Sequence, residues 1–179
     1  MGNKLNESLL EIAMSGPILC FRSPAVVAIT GARFQIRIDQ KIIFSHRPIL
    51  VLAGSELVFG TREAGCRAYL AIAGGITVSN VLGSKSTNLQ EGFGGYSGRA
   101  LKSGDELSIP IGHLKKYVRS YRSNSKSLIN PRWYIRDFLL DRAKIVPIVR
   151  FIPTKFWENL PDGQRENFLK GPYKVTAES

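Results

Sequence analysis

Between Phe34 and Asp39 the chain alternates without a break: Phe34, Ile36 and Ile38 are apolar, and Gln35, Arg37 and Asp39 are polar. Successive side chains of a strand point to opposite faces, so a period of two specifies a strand with one face in a core and one in water. Asp39-Gln40 supplies a turn and Lys41-Ile42-Ile43-Phe44 resumes the apolar pattern, which predicts a hairpin. Upstream, Ala25-Val26-Val27-Ala28-Ile29-Thr30 is β-branched and nearly all apolar, as in a strand buried on both faces. Gly31-Ala32 reads as the turn that separates these two strands.

The pattern continues. Pro48-Ile49-Leu50-Val51-Leu52 and Glu56-Leu57-Val58-Phe59 are expected to pair with each other across Ala53-Gly54-Ser55. Ala68-Tyr69-Leu70-Ala71-Ile72-Ala73 follows a turn at Ala64-Gly65, and Glu106-Leu107-Ser108-Ile109-Pro110 ends the series. Short strands at regular spacing predict a mainly β fold, an antiparallel barrel that closes or nearly closes. Helix is scarce. One is expected over Leu5 to Ala13 behind Asn6, and another over Asp162 to Leu169, capped by Asp162 and stopped by Gly171-Pro172.

Eight of the seventeen glycines crowd between Gly74 and Gly104, where only Lys85, Glu91, Arg99 and Lys102 are charged. Glycine loses more backbone freedom on folding than any other residue, so such a cluster needs positive φ or close backbone approach to justify it. Gly74-Gly75 and Gly92-Phe93-Gly94-Gly95 flank Ser84-Lys85-Ser86-Thr87-Asn88, a folded loop offering hydroxyls, N–H groups and one lysine. A phosphate-cradling P-loop is excluded, because Lys85 follows Ser84 and Ser79 stands where its first glycine is required. The dinucleotide fingerprint fails too, since Ser97 takes the place of its third glycine.

The same stretch closely resembles the family of allophanate hydrolase subunit 2, the 5-oxoprolinase C subunit and biotin-dependent carboxyltransferase subdomains A and B. The resemblance lies in Arg67-Ala68-Tyr69-Leu70-Ala71 with Gly74-Gly75, Val81-Leu82-Gly83-Ser84-Lys85-Ser86-Thr87, Gly92-Phe93-Gly94-Gly95, Gly98-Arg99-Ala100-Leu101 and Gly104-Asp105. Gly2-Asn3, Leu10-Glu11-Ile12, Gly16-Pro17 and Ala28-Ile29-Thr30-Gly31-Ala32 agree in order and spacing. The family's Gln-Asp-x-Gly-Arg-type and Ser-Asp-Arg-Met-Gly-type motifs do not occur here, so the resemblance covers an internal portion of the family domain.

The resemblance implies a cyclophilin-like β-barrel, here incomplete, with an unprotected edge and exposed apolar surface. It implies a subunit that is inactive alone, within an ATP-dependent 5-oxoprolinase-like complex acting on a small lactam, amide or urea-like substrate. The partners it implies are a C/D-type carboxyltransferase subunit and a lactam-utilisation hydrolase subunit. ATP would be used elsewhere in the complex and no cofactor is expected on this chain. The alternatives are a urea carboxylase or allophanate hydrolase component, with carboxybiotin on a carrier, and a regulatory partner-binding module without catalysis. Carried over residue by residue, Ser84, Ser86 and Thr87 can hydrogen-bond a carboxylate or amide. N–H groups of Gly94 and Gly95 can stabilise developing negative charge, and Arg99 can fork onto a carboxylate. Each also has a structural use: short hydroxyls cap turns, Gly94-Gly95 permits a bend, and Arg99 can pair with Asp105 or Glu91 at a rim. Lys85 is expected to be solvated.

Composition narrows the partners. The net charge of +11 is concentrated between His113 and Arg150, where ten Lys/Arg residues face Asp137 and Asp141 alone. Interleaved Tyr117, Tyr121, Trp133, Tyr134 and Phe138 could stack on single-stranded nucleic acid, but no nucleic-acid motif accompanies them, which argues against that class. Cys20 and Cys66 have no metal-ligand spacing. Cys20 reads as a buried small hydrophobe, no disulfide is expected, and His46 and His113 read as solvated. Nothing approaches a membrane span or signal sequence, so a cytoplasmic location is expected. The polar cluster Ser123 to Ser127 marks a connection. Residues 1–112 are expected to form the β core with its glycine-rich loop at 74–104, 113–144 a basic connecting segment, and 145–179 the start of a second β subdomain. Ile145 to Ile152 would be its first strand, broken at Pro147, and Lys174-Val175-Thr176 its next.

Overall fold

The computed structural model describes residues 1–110, 133–136 and 150–173. Two compact units divide the chain, Met1–Lys144 and Ile145–Ser179. Most of the 113–144 segment and the strand residues expected at 145–149 and 174–176 lie outside the described residues.

The first unit is an antiparallel sheet carried by two long strands, β3 (Ala25–Ile38) and β6 (Glu56–Ile72). Four short strands flank them: β1 (Leu10–Ala13) and β2 (Ile18–Cys20) share the outer side of β6, while β4 (Lys41–Ile43) and β5 (Ile49–Val51) share the outer side of β3. The fold is mainly β and antiparallel, and among the described residues the sheet does not close on itself. Its outer strands are only three or four residues long, which limits the unpaired backbone that an edge presents. They nonetheless expose Met14, Ile18 and Ile42 near the edges.

The long strands absorb two of the expected turns. In β3 the positions in the core cluster are Ala25, Val27 and Ile29, then Ala32, Phe34, Ile36 and Ile38, a switch from odd to even numbers, with Val26 buried on the opposite face. In β6 Leu57 and Phe59 are buried, then Ala68, Leu70 and Ile72. Each strand therefore slips by an odd number of residues and keeps its apolar face on the core. Ile36 stands opposite Phe59 but Gly31 stands opposite Ala68, so five steps of β3 match nine of β6. Gly31 (φ 91°) and Gly65 (φ 77°) supply the left-handed residues of this double bulge. A Cβ on Gly65 would come within 2.9 Å of Ala32 Cα, so both strands cross here with no room for a side chain. Gly31-Ala32 and Ala64-Gly65 are thus bends inside continuous strands, not turns between separate ones.

Three further segments differ from expectation. Leu10–Ala13 is strand β1 rather than the end of a helix, because Ile12 enters the core and the backbone pairs with Arg67–Leu70. Residues 49–51 pair with Ala25–Val27 of β3, not with Glu56–Phe59. Residues 106–110 form no strand, although Thr77 N–H donates to Ser108 O at 2.8 Å. The hairpin of β3 and β4 forms as its alternation requires, with Ile36 opposite Ile43 and Asp39 at φ 53°. A single cluster of buried side chains, among them Ile29, Ile36, Ile49, Leu57 and Leu70, fills the unit.

The second unit contains α1 (Lys155–Glu158) and α2 (Asp162–Lys170). The Arg165 guanidinium donates to the Trp157 carbonyl (3.0 Å) and to the Glu158 carbonyl, stitching α2 to α1. Phe151, Trp157 and Phe168 pack ring against ring at 4.7–5.3 Å between centroids. Pro161 occupies the cap position and Asp162 is the first helical residue, so the helix begins without the side-chain cap expected of Asp162. Gly171 ends it as expected.

Candidate functional site

Two hairpins build the glycine-rich loop. In the first, Val81 and Ser84 exchange backbone hydrogen bonds of 2.8 and 3.0 Å across Leu82 (φ 52°) and Gly83 (φ 79°). Two successive positive φ values are what a type I′ turn demands. In the second, β7 (Thr87–Asn88) pairs with β8 (Phe93–Gly94). The Asn88 side chain accepts the Glu91 N–H at 3.0 Å and its carbonyl accepts the Gly92 N–H at 2.9 Å, so Asn88 closes that turn from both sides. Gly95 then bridges to Ser79, and the Gly98 N–H donates to Gly94 O at 2.8 Å.

Between these pieces lies an open groove of about 590 Å³, walled by Thr77, Val78, Ser79, Val81 and the run from Gly92 to Gly98. None of these residues carries a formal charge. The segments that wall it approach one another closely, and this has a cause. A Cβ on Gly95 would collide with the Thr87 hydroxyl and sit 2.8 Å from Thr87 N. One on Gly98 would collide with the Gly92 carbonyl and sit 2.6 Å from Phe93 N. Only glycine lets the two chain segments approach this closely.

Of the expected site residues, Gly94 and Gly95 form part of the groove wall, whereas Ser84, Ser86, Thr87 and Arg99 are not among its lining residues. Ser84 and Ser86 are exposed, and the Ser84 hydroxyl accepts the Ser86 N–H at 3.1 Å, a local turn bond. Thr87 is half-buried beneath Gly95. Arg99 forks onto Asp105, with 2.7 Å to Oδ2 and 2.8 Å to Oδ1, and also donates to Ala100 O at 2.9 Å. Its guanidinium lies 5.1 Å from the Tyr96 ring centroid. Asp105 answers with a third bond, accepting the Lys102 N–H at 2.7 Å. The Arg99 side chain, then the Lys102 N–H, hold the Asp105 carboxyl well below the usual carboxylate range, and the same contact with Asp105 raises Arg99.

Lys85 is not solvated. Its ammonium lies 2.6 Å from Glu7 Oε2, and both side chains are more than two-thirds buried. Sequence reasoning missed Glu7, Asn3 and Ser8, which reach the loop's root from about seventy residues away; nothing in local spacing signals such a pairing. Cys20 is corrected as well: it is exposed, and its thiol donates to Glu56 Oε1 at 3.5 Å, which pushes its pKa upward. Cys66 is exposed and both thiols are free. His46 is half-buried at φ 63°, its backbone N–H donating to Ile29 O and its carbonyl accepting the Ile135 N–H. A second cleft of about 400 Å³ lies at the β3–β6 end beside Arg37, Asp39 and Glu56.

What the groove can do follows from its walls. Hydroxyls of Ser79, Tyr96 and Ser97 and the backbone of a glycine run suit the amide group of a small polar ligand. They do not suit a triphosphate, because the neighbouring cations Lys85 and Arg99 are engaged by Glu7 and Asp105. Among the described residues no group of three His, Cys, Asp or Glu side chains is placed to hold a metal. Nor is any described helix long and apolar enough to cross a membrane.

Residues 1–179 match the model of the carboxyltransferase domain, subdomain A and B. The chain belongs to that family. It is 40% identical to the 5-oxoprolinase C subunit of Escherichia coli K12 over all 179 residues, which is 52% of that protein. It is 39% identical to urea amidolyase of Saccharomyces cerevisiae over 132 residues, 74% of this chain and 7% of the relative. Among solved structures, Kluyveromyces lactis urea amidolyase superposes with a TM-score of 0.61 at 37% identity, covering 74% of this chain and 8% of that one. The chain thus spans about half of one curated relative and under a tenth of the other. One relative is by name a subunit and the other a far longer polypeptide.

Proposed function

We propose that this chain is a carboxyltransferase A/B component of an ATP-dependent 5-oxoprolinase-type complex, binding the small lactam or amide substrate in the groove of its glycine-rich loop. The observation that carries the reading is one match: similarity to the Escherichia coli 5-oxoprolinase C subunit runs through the entire chain, whereas similarity to Saccharomyces cerevisiae urea amidolyase covers three-quarters of it and that to the Haemophilus influenzae 5-oxoprolinase C subunit 64%. The hydroxyls and backbone groups of the groove support the lactam half of this reading, and the carboxylate that 5-oxoproline also carries is assigned to a partner subunit, because no cation lines the groove. Backbone N–H groups of Gly94 and Gly95 are the candidates for steadying negative charge on the amide oxygen as its C–N bond is attacked. Ser84, Ser86 and Thr87 remain candidates for contacts at the complex's shared site, and Arg99 holds the loop through Asp105.

In this reading ATP is used on another subunit, which the uncharged lining of the groove supports. The partners are a C/D-type carboxyltransferase subunit and a lactam-utilisation hydrolase subunit, in the cytoplasm. A second reading, a urea carboxylase component, is favoured by the fold match to Kluyveromyces lactis urea amidolyase. There the groove would face the ureido ring of carboxybiotin, whose carbonyl and N–H match the same hydroxyls. Co-expression with the two partner subunits, followed by 5-oxoproline and ATP or by urea and a carrier already bearing carboxybiotin, separates the readings. Glutamate formed only in the first mixture supports the proposal, and turnover only in the second replaces it.

A further inference from the structure

The segment before β1 grips the foot of the glycine-rich loop. Asn3 inserts its side-chain amide between two backbone groups there, donating to Ile72 O at 2.7 Å and accepting the Gly74 N–H at 2.9 Å. Five residues on, the Ser8 hydroxyl repeats the device, donating to Ile76 O at 2.5 Å and accepting the Ile76 N–H at 3.1 Å. Between them Glu7 reaches over buried Gly75 to Lys85 at 2.6 Å. Gly75 is at φ 83°, and a Cβ there would lie 2.5 Å from Glu7 Oε2, so the carboxylate rests directly on the glycine. Three side chains of one short segment therefore hold residues 72–76, where the loop leaves β6, and Lys85, where the first hairpin leads into β7. The groove wall lies between and just beyond these two grips.

Shielding matters here. Exposed ion pairs contribute little because water and salt screen them. This pair keeps only 27% of the lysine and 19% of the glutamate side chain exposed, and loss of either partner strands the other at a half-buried position. The glycine-rich run that follows has little stiffness of its own, so its shape depends on ties made by side chains elsewhere.

We propose that Glu7 is a positioning residue: its ion pair with Lys85, backed by the Asn3 and Ser8 clamps, holds the glycine-rich loop in the shape that lets the groove accept its ligand. The loop's part in ligand binding rests on the function proposed above, while the clamp itself does not. Amide hydrogen exchange on the full chain tests the clamp without any activity. Glu7→Gln and Lys85→Met are each expected to speed exchange across residues 77–98 about tenfold, equivalent to ~1.4 kcal/mol of local opening. Exchange across β3 is expected to stay unchanged. The swapped pair Glu7→Lys with Lys85→Glu is expected to restore protection, which a defect of packing alone would not do. In the reconstituted complex the single variants should raise KM for 5-oxoproline more than they lower kcat, and the swap should recover KM. Unchanged exchange in both single variants overturns the clamp. Faster exchange with unchanged KM overturns the positioning role. Absence of wild-type turnover overturns the proposed function instead, and the exchange result then decides the clamp by itself.

Discussion

Two glycines of the loop share a left-handed backbone but not a neighbourhood, and this makes their substitution a test of how the groove is built. Gly83 has φ 79° and nothing within 4 Å of an added Cβ. Gly98 has φ 67°, and its Cβ would collide with the Gly92 carbonyl and lie 2.6 Å from Phe93 N. An L-residue at such φ costs about 1–2 kcal/mol whatever surrounds it, so Gly83→Ala should weaken its turn by only ~1 kcal/mol. At Gly98 the obstructing atoms are backbone and cannot rotate away, which adds an overpacking cost of about 1–3 kcal/mol. The expected difference of ~2 kcal/mol corresponds to about thirtyfold in the opening equilibrium of the loop. The loop is expected to open without the sheet, which assigns the difference to local rather than global stability. Amide exchange of residues 77–98 reads it: a small change for Gly83→Ala, a large one for Gly98→Ala, and neither altering β3. Equal exchange in the two variants would refute the claim that close approach of Gly92 and Gly98 shapes the groove.

Leu70, opposite Leu10 on one side and Ile29 on the other and 1% exposed, should cost about 2–5 kcal/mol when replaced by Ala, measured by urea unfolding. Asp105 has a carboxyl lowered by Arg99. Its contribution to loop stability is therefore complete above the unfolded carboxyl value of about pH 4 and is lost as pH falls through the lowered folded value. Asp105→Asn should flatten the acid dependence of exchange in residues 99–105, and an unchanged slope would count against the ion pair. Cys20 has a thiol raised by Glu56, so Glu56→Gln should speed its reaction with a disulfide reagent at mildly alkaline pH while leaving Cys66 unaffected.

The hairpin of β3 and β4 is legible in the sequence because alternation is a local property: Phe34, Ile36 and Ile38 each face the core, as their spacing requires. The bends at Gly31 and Gly65 are legible only as interruptions. A bulge and a turn both place glycine where the apolar phase shifts, and only the pairing of Thr30 with Tyr69 and Arg33 with Ala64 distinguishes them. Pairing of β5 with β3 instead of β6 is likewise non-local, since Ile49, Val51 and Leu57 carry the same pattern whichever partner they meet.

The site divides in the same way. The glycine nodes point to tight approach, and Gly94, Gly95 and Gly98 provide it. The Arg99–Asp105 pair is readable from a separation of six residues within one loop. Glu7 and Lys85 are seventy-eight residues apart and meet only because β1 and β6 bring their neighbours together. Neither residue's own surroundings in the sequence announce an ion pair, which is why a loop lysine reads as solvated.

Turnover of a small amide at the groove, within a complex, is tested most directly by ATP-dependent glutamate release from 5-oxoproline. The assembled complex would be assayed with the chain present, omitted, or carrying Gly98→Ala. Release that requires the chain and falls at least about tenfold in the variant, while the variant still co-purifies with its partners, is the predicted result. Undiminished release from a complex that retains the Gly98→Ala chain would contradict it and leave the chain a regulatory binding module.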